Sequence, residues 1–325
     1  MPTELILLGT AGAPMPVAGR GGICSALVAD GRVFLVDCGR GAPSAFADAG
    51  LDFARLTAIF LTHLHADHCG DLPGMILYPW GGRAGPEGPL DPVRVYGPPG
   101  LPALPAADSA SGRVTIIHPD RPAPGTAALV DSILAGYAYH LNVMPLDARM
   151  PDPAALVQAA DISVDAGPVL VSADGGIRMT AMRVVHGHAV PALAYRFDTA
   201  DGSVVFSGDT TVCDELVELA AGADILVHQV ADLVYLRRHG LTESELAHMA
   251  ALHTDVTQVG GVAERAGVGE LILTHYLPAA PEAVSAADWA RRAGPGFRGR
   301  TTAGFDGMRR AVGRGRPRSA GAGTG

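Results

Sequence analysis

A chain of 325 residues that is 48% hydrophobic and 18% charged can bury a sizeable core and is too apolar to stay disordered. No apolar run approaches the roughly 20 residues that a membrane-spanning helix needs, and the N-terminal MPTELILLGTAG carries no basic stretch, so a soluble cytoplasmic protein with no membrane partner is expected. Of 24 basic and 33 acidic residues, nine arginines and one acid fall from Arg291 onward, which leaves the first 290 residues at −17 and weighs against a nucleic-acid partner without excluding it.

Hydrophobic periodicity predicts strands at Leu5–Leu8, Ala26–Ala29 and Val33–Asp37, then a helix at Ala42–Ala49. A strand at Ala58–Thr62, a helix at Asp71–Tyr78 and a strand at Val93–Tyr96 follow. From about 98 to 162 the chain turns rich in Pro and Ala, with an amphipathic stretch around Thr126–Leu141; residues 101–165 read as a cap-like insertion. Strands at Met179–Val185, Ala192–Phe197 and Ser203–Ser207 come next, then a helix at Asp214–Ala221 and a strand at Ile225–His228. Helices at Glu243–Leu252 and Val256–Ala266 precede a last strand at Leu271–Thr274, and Thr254-Asp255 offers cap chemistry to the second helix. Turns such as Ala29-Asp30-Gly31 join successive strands as hairpins. The simplest packing is an α/β fold, an αββα sandwich of two mixed sheets flanked by helices, over one domain of residues 1–313. Residues 314–325 read as a disordered Arg/Gly-rich tail. The four cysteines (Cys24, Cys38, Cys69, Cys213) contain no CxxC pair, which argues against a disulfide framework or a cysteine-zinc site.

The chemistry is concentrated in His63-Leu64-His65-Ala66-Asp67-His68, directly after the strand AIFLT. In extended chain, residues two apart point the same way, so His63, His65 and Asp67 can share a face. Once the chain turns, His68 can aim at a second ion. Imidazole and carboxylate are ligands that zinc accepts. One motif cannot complete two coordination spheres, and three residues at strand ends are candidates to finish them: His186, Asp209 and His275. A carboxylate at Asp209 can bridge two ions.

The series HLHADH, His186 before PALAYRF, SGDT and LTHYLP is similar to the metallo-β-lactamase superfamily, and most to its branch of ribonuclease Z and arylsulfatase-like hydrolases. LLGTAGAP, VDCGRG, VYGPPG and His253-Thr254 add to the resemblance. It implies two zinc ions per chain, one on His63, His65 and His186 and one on Asp67, His68 and His275, with Asp209 bridging both. His188 is a rival to His186, which fits the family spacing better. A homodimer is the assembly that such families suggest.

Two zinc ions sharing a water generate hydroxide near neutral pH and stabilise charge developing on the substrate. Asp67 is the residue expected to orient the nucleophile or carry its proton. His253, read as preceding a helix N-terminus, is expected to meet an oxyanion, and Asp37 to orient a ligand histidine. His228 lies where ribonuclease Z-like chains carry His-Glu-Ala-Thr, but Gln229 replaces the glutamate. His140 is a candidate to reach the site from the insertion, while His118, His239 and His248 read as surface groups. The acidic body, the missing glutamate and the cap-like insertion favour a small-molecule ester as substrate (a sulfate ester, phosphodiester or lactone), and no basic RNA-binding arm is found inside the domain. The alternatives are a ribonuclease Z-like endonuclease, and a di-iron redox or Lewis-acid biosynthetic enzyme on the same cage.

Overall fold

The computed structural model describes residues 2–85, 88–89, 91–105, 115–148, 150–165 and 167–313. The predicted tail thus lies outside the described residues, as do 106–114 of the predicted insertion. The chain opens with β1 (Glu4–Gly9), β2 (Cys24–Ala29), β3 (Arg32–Val36), α1 (Ala42–Asp48) and β4 (Leu56–Phe60). The short helix α2 (Ala66–Cys69) and α3 (Leu72–Leu77) follow, then a two-residue ladder of β5 (Ala84–Gly85) and β6 (Gly88–Pro89), then β7 (Val93–Gly97). Helices α4 (Thr126–Gly136) and α5 (Ala138–Ala148) lead to β8 (Val157–Asp161). The second half contains β9 (Val169–Asp174), β10 (Ile177–Val184), β11 (Ala192–Asp198), β12 (Ser203–Phe206), α6 (Asp214–Leu219), β13 (Ile225–Ala231), α7 (Leu233–Arg238) and α8 (Glu243–Leu252). It closes with α9 (Val259–Ala266), β14 (Glu270–Leu277), α10 (Ala286–Ala293), β15 (Arg300–Ala303) and β16 (Arg309–Ala311).

Two seven-stranded sheets result, in the orders β16-β1-β2-β3-β4-β7-β8 and β15-β14-β13-β12-β11-β10-β9. Each sheet joins an antiparallel half to a parallel half: β3, β4, β7 and β8 run parallel, as do β12, β13, β14 and β15. The strand period of two sorts side chains between layers. Leu5, Leu7, Phe34 and Phe60 meet Tyr195, Phe197, Phe206 and Val227 between the sheets. Their neighbours Ile6, Leu8, Leu35 and Ile59 pack outward under α1, α3 and α4. On the other side Val205, Leu226 and Leu271 pack under α6, α9 and α10. This is the expected αββα sandwich.

Parts of the region read as a cap-like insertion contribute to these layers. Val130 of α4 and Leu141 of α5 are buried in the outer cluster of the first sheet, and β8 pairs with β7 as an edge strand. Its alanine-rich pattern hid a strand half-buried on one face only. His140 follows the helices outward, its ring against Trp80 at 5.7 Å, and is not one of the histidines at the metal cluster. The last strand β16 returns to the first sheet beside β1, a pairing that local pattern cannot announce.

Candidate metal centre

The site lies at the carboxyl ends of the parallel strands, where open α/β sheets gather polar groups. Asp37 follows β3, Thr62-His63 comes just after β4 and Asp209 shortly after β12, while Gln229 lies within β13 and His275 within β14. Two bonds stitch the sheets together here. Leu193 N donates to Thr62 O at 2.8 Å, and Tyr195 Oη donates to Leu61 O at 2.7 Å. Gly208 explains the SGDT turn, because φ is +57° and a Cβ would come within 2.6 Å of Leu193 O.

All seven predicted ligands converge. The ligand atoms of His63, His65 and His186 lie within 4.8 Å of one another, and so do those of Asp67, His68 and His275. Asp209 groups with His63 and His68, and separately with His186 and His253. Its Oδ2 lies 3.4 Å from His68 Nε2, 3.3 Å from His275 Nε2 and 3.9 Å from His186 Nε2. The expectation that Asp67 shares a face with His63 and His65 is corrected: the chain turns into α2 at Ala66 and carries Asp67 over to His68 and His275. His186 is buried in the cluster, whereas His188 is exposed and in none of the groupings.

His186 Nδ1 bonds Leu252 O at 2.8 Å and His68 Nδ1 bonds Asp37 Oδ2 at 2.8 Å. Both partners only accept, so both Nδ1 atoms carry a proton, and whenever either ring is neutral its Nε2 presents a lone pair. His68 Nε2 faces His275 Nε2 at 3.1 Å, while His186 Nε2 and Asp209 Oδ1 are buried with no hydrogen bond among the described residues. Converging imidazole nitrogens and an orphaned carboxylate oxygen fit a metal cation, whose binding would displace any proton on Nε2.

Burial and neighbouring charge divide the histidines of the cluster. Burial holds His63, His65 and His186 below the ordinary imidazole range. Burial also opposes charge on His68, but the carboxylates of Asp209 and Asp37 outweigh it and raise its pKa well above that range. Burial works against ionised Asp67 as well, yet His275 and His68 bring it down to about 2. Asp209 is held well below the carboxylate range, with His275 and His68 overcoming its burial.

Asp37 takes the orienting position expected of it. Its Oδ1 accepts from Thr62 N at 2.8 Å and its Oδ2 from His68 Nδ1. Asp37 and His275 are non-glycine residues at positive φ, +63° and +47°, a conformation that Asp and His enter more readily than most side chains.

His253 needs a correction. It is the C-cap of α8, and α9 begins only at Val259, so the expected helix N-terminus is absent beside it. Asp255 spends its carboxylate on Thr257 N, Thr257 Oγ1 and Leu233 N, building a turn where a cap was expected. His253 still reaches the cluster, with Nδ1 3.8 Å from Asp209 Oδ2, and burial lowers its pKa to about 3. Sequence reasoning registered Gln229 only as a missing glutamate; in the structure its Oε1 lies 3.0 Å from His253 Nδ1. His228 itself points away, with Nδ1 on the Gln229 carbonyl at 2.6 Å.

Residues 4–79 match the family model of the anti-Pycsar protein Apyc1, and residues 135–276 match the beta-lactamase superfamily domain. The chain is 34% identical over 301 residues to ribonuclease Z of Mycobacterium sp. (strain KMS), covering 90% of each. It is 35% identical over 308 residues to ribonuclease Z of Mycobacterium avium (strain 104), covering 93% of this chain and 96% of the relative. The metallo-beta-lactamase fold protein YhfI from Bacillus subtilis superimposes with a TM-score of 0.63 at 18% identity, covering 95% of this chain and 99% of the other. The short form of human tRNase Z superimposes with a TM-score of 0.60 at 20% identity over the same shares of the two chains. The chain belongs to the ribonuclease Z branch of the metallo-β-lactamase superfamily and is a metal-dependent hydrolase.

Proposed function

We propose that this chain is a ribonuclease Z-like endonuclease that hydrolyses a phosphodiester bond in RNA with two zinc ions. The observation that carries the reading is the full ligand set, converging as one cluster in a chain 34% identical to ribonuclease Z over 90% of its length. This puts the endonuclease ahead of the small-molecule ester expected from the acidic body: similarity along the whole chain is stronger evidence than net charge, which governs encounter more than chemistry.

His63, His65 and His186 would hold one zinc and Asp67, His68 and His275 the other, with Asp209 serving both. Bound there, zinc supplies Lewis-acid stabilisation of a phosphoryl oxygen and lowers the pKa of a water. Asp37 keeps the His68 lone pair turned inward by fixing the proton on Nδ1. Asp67, held near 2, stays ionised at neutral pH, so its role is to accept the hydrogen bond that orients the nucleophile. His253 is the further polar group, neutral and held through Nδ1 by Gln229.

A second reading, a small phosphodiester as substrate, is favoured by Gln229: a neutral amide offers His253 no charge with which to support an imidazolium. The test measures bound metal, then turnover of precursor transfer RNA and of bis-(p-nitrophenyl) phosphate, with Asp209→Ala as control. Two zincs per chain and RNA cleavage abolished in the control are expected. Cleavage of the aryl diester with intact RNA would give the second reading precedence, and hydrolysis of neither would sink both.

A further inference from the structure

The loop between β1 and β2 forms a lip over one half of the cluster. Gly12 lies so close to His275 that a Cβ would stand 2.7 Å from its Nδ1. The chain then runs through Ala13, at φ +66°, into Pro14 and Met15, a methionine that is 76% exposed. Ala13, Pro14 and Met15 line a cavity of about 120 Å³ together with Arg40, Asp67 and Asp71. The cavity opens on Asp67, one of the seven convergent residues.

We propose that this lip is a nucleobase subsite, holding a base of the substrate beside the phosphate at the metal centre; the proposal rests on the phosphodiesterase reading above. Three features point to a planar, nitrogen-rich ligand. Arg40 is exposed and anchored through Nη2 alone, which donates to Arg20 O at 2.7 Å and Val17 O at 3.3 Å. Among the described residues it pairs with no carboxylate, so the flat guanidinium is available for stacking. Met15 and Pro14 supply an apolar, adaptable surface that has no packing partner in the core and adjoins a polar centre. Asp71 accepts from Gly41 N through Oδ2 at 2.6 Å, leaving Oδ1 as an acceptor for an amino or ring N–H group at a base edge. A left-handed alanine in the lip is the local strain that ligand-binding loops often retain.

The test is binding of adenosine 5′-monophosphate and ribose 5-phosphate to the zinc-loaded protein, followed by calorimetry and by the Met15 methyl resonance. The two ligands share the phosphate and the sugar and differ in the base. The nucleotide is expected to bind about tenfold tighter, within the range of one stacked base, and to move the Met15 signal. That preference should collapse in Arg40→Ala and also in Met15→Ala, which leaves the Arg40 anchors in place. Equal binding of the two ligands, or a preference that survives both substitutions, overturns the subsite while the phosphate-binding centre stands. If neither ligand binds, the subsite falls together with the phosphodiesterase reading.

Discussion

Asp37→Asn is the sharpest test of how the cluster is oriented. The substitution keeps size and shape, and Asn tolerates the left-handed backbone at this position. Thr62 N can only donate, so it holds the Asn Oδ1 at 2.8 Å where the carboxylate oxygen was. The amide nitrogen must then face His68 Nδ1, where Oδ2 now lies at 2.8 Å. Two N–H donors cannot share that position, so His68 either gives up the bond or moves its proton to Nε2, the atom facing His275. The opposite flip leaves Thr62 N facing a donor in a buried site, at a cost of about 1–3 kcal/mol. Each outcome spoils the inward lone pair, and loss of such an orienting partner typically weakens metal binding by about 10–100-fold, or ~1.4–2.7 kcal/mol. Zinc affinity measured by competition with a chelating dye reads this directly, with circular dichroism to show an intact fold. Unchanged affinity in a folded variant would refute the reasoning.

Three other expectations follow from the same geometry. His228 is wholly buried, with its pKa lowered from 6.5 to about 4 by burial; stability of the metal-free protein should therefore be intact above about pH 6.5 and fall by about 3 kcal/mol as pH drops through 4. Urea denaturation across pH should show a shallower acid loss in His228→Leu than in the parent, and equal slopes would count against it. Gln229→Glu places a carboxylate beside His253 Nδ1 and should raise that imidazole from about 3; a new ionisation in kcat/KM between about pH 5 and 8 is the readout, and a profile like that of the parent would remove His253 from the reaction. Phe60 is fully buried among Tyr96, Tyr195 and Phe197 at 5.1–5.3 Å between ring centroids, so Phe60→Ala should cost about 3–5 kcal/mol by urea denaturation. A loss below about 1 kcal/mol would mean that the sheets do not pack as described.

The parts of the site readable from the sequence were those whose geometry is local. His63, His65, Asp67 and His68 fall within six residues, and each of His186, Asp209 and His275 stands at or near the end of a strong strand pattern. The layers were readable for the same reason, since alternation such as Leu5-Ile6-Leu7-Leu8 assigns one face to each cluster. What escaped depends on contacts between distant segments. The left-handed backbone of Asp37 and His275 is one case, since most Asp and His residues do not adopt it. Asp255 looked like a helix cap because Asp so often is one, but Thr257 and Leu233 compete for its oxygens and won. Local propensity names the bonds a side chain can make; the fold decides which are made.

Gln229 shows what such a choice means for function. Its Nε2 donates to Thr210 O at 2.8 Å, and that carbonyl also accepts from Thr254 Oγ1 at 2.8 Å. An acceptor-only partner on one side fixes which end of the amide faces it, so Oε1 must face His253. His253 therefore carries its proton on Nδ1, and Nε2 becomes the nitrogen left to meet a substrate. A glutamate here would also accept from Nδ1, but it would place a second negative charge near Asp209 and favour the imidazolium. The amide retains the positioning and gives up the charge. A chain built this way orients its histidine without storing a proton on it, which suits a reaction whose charge is carried by metal ions more than one that needs a strong acid for the leaving group.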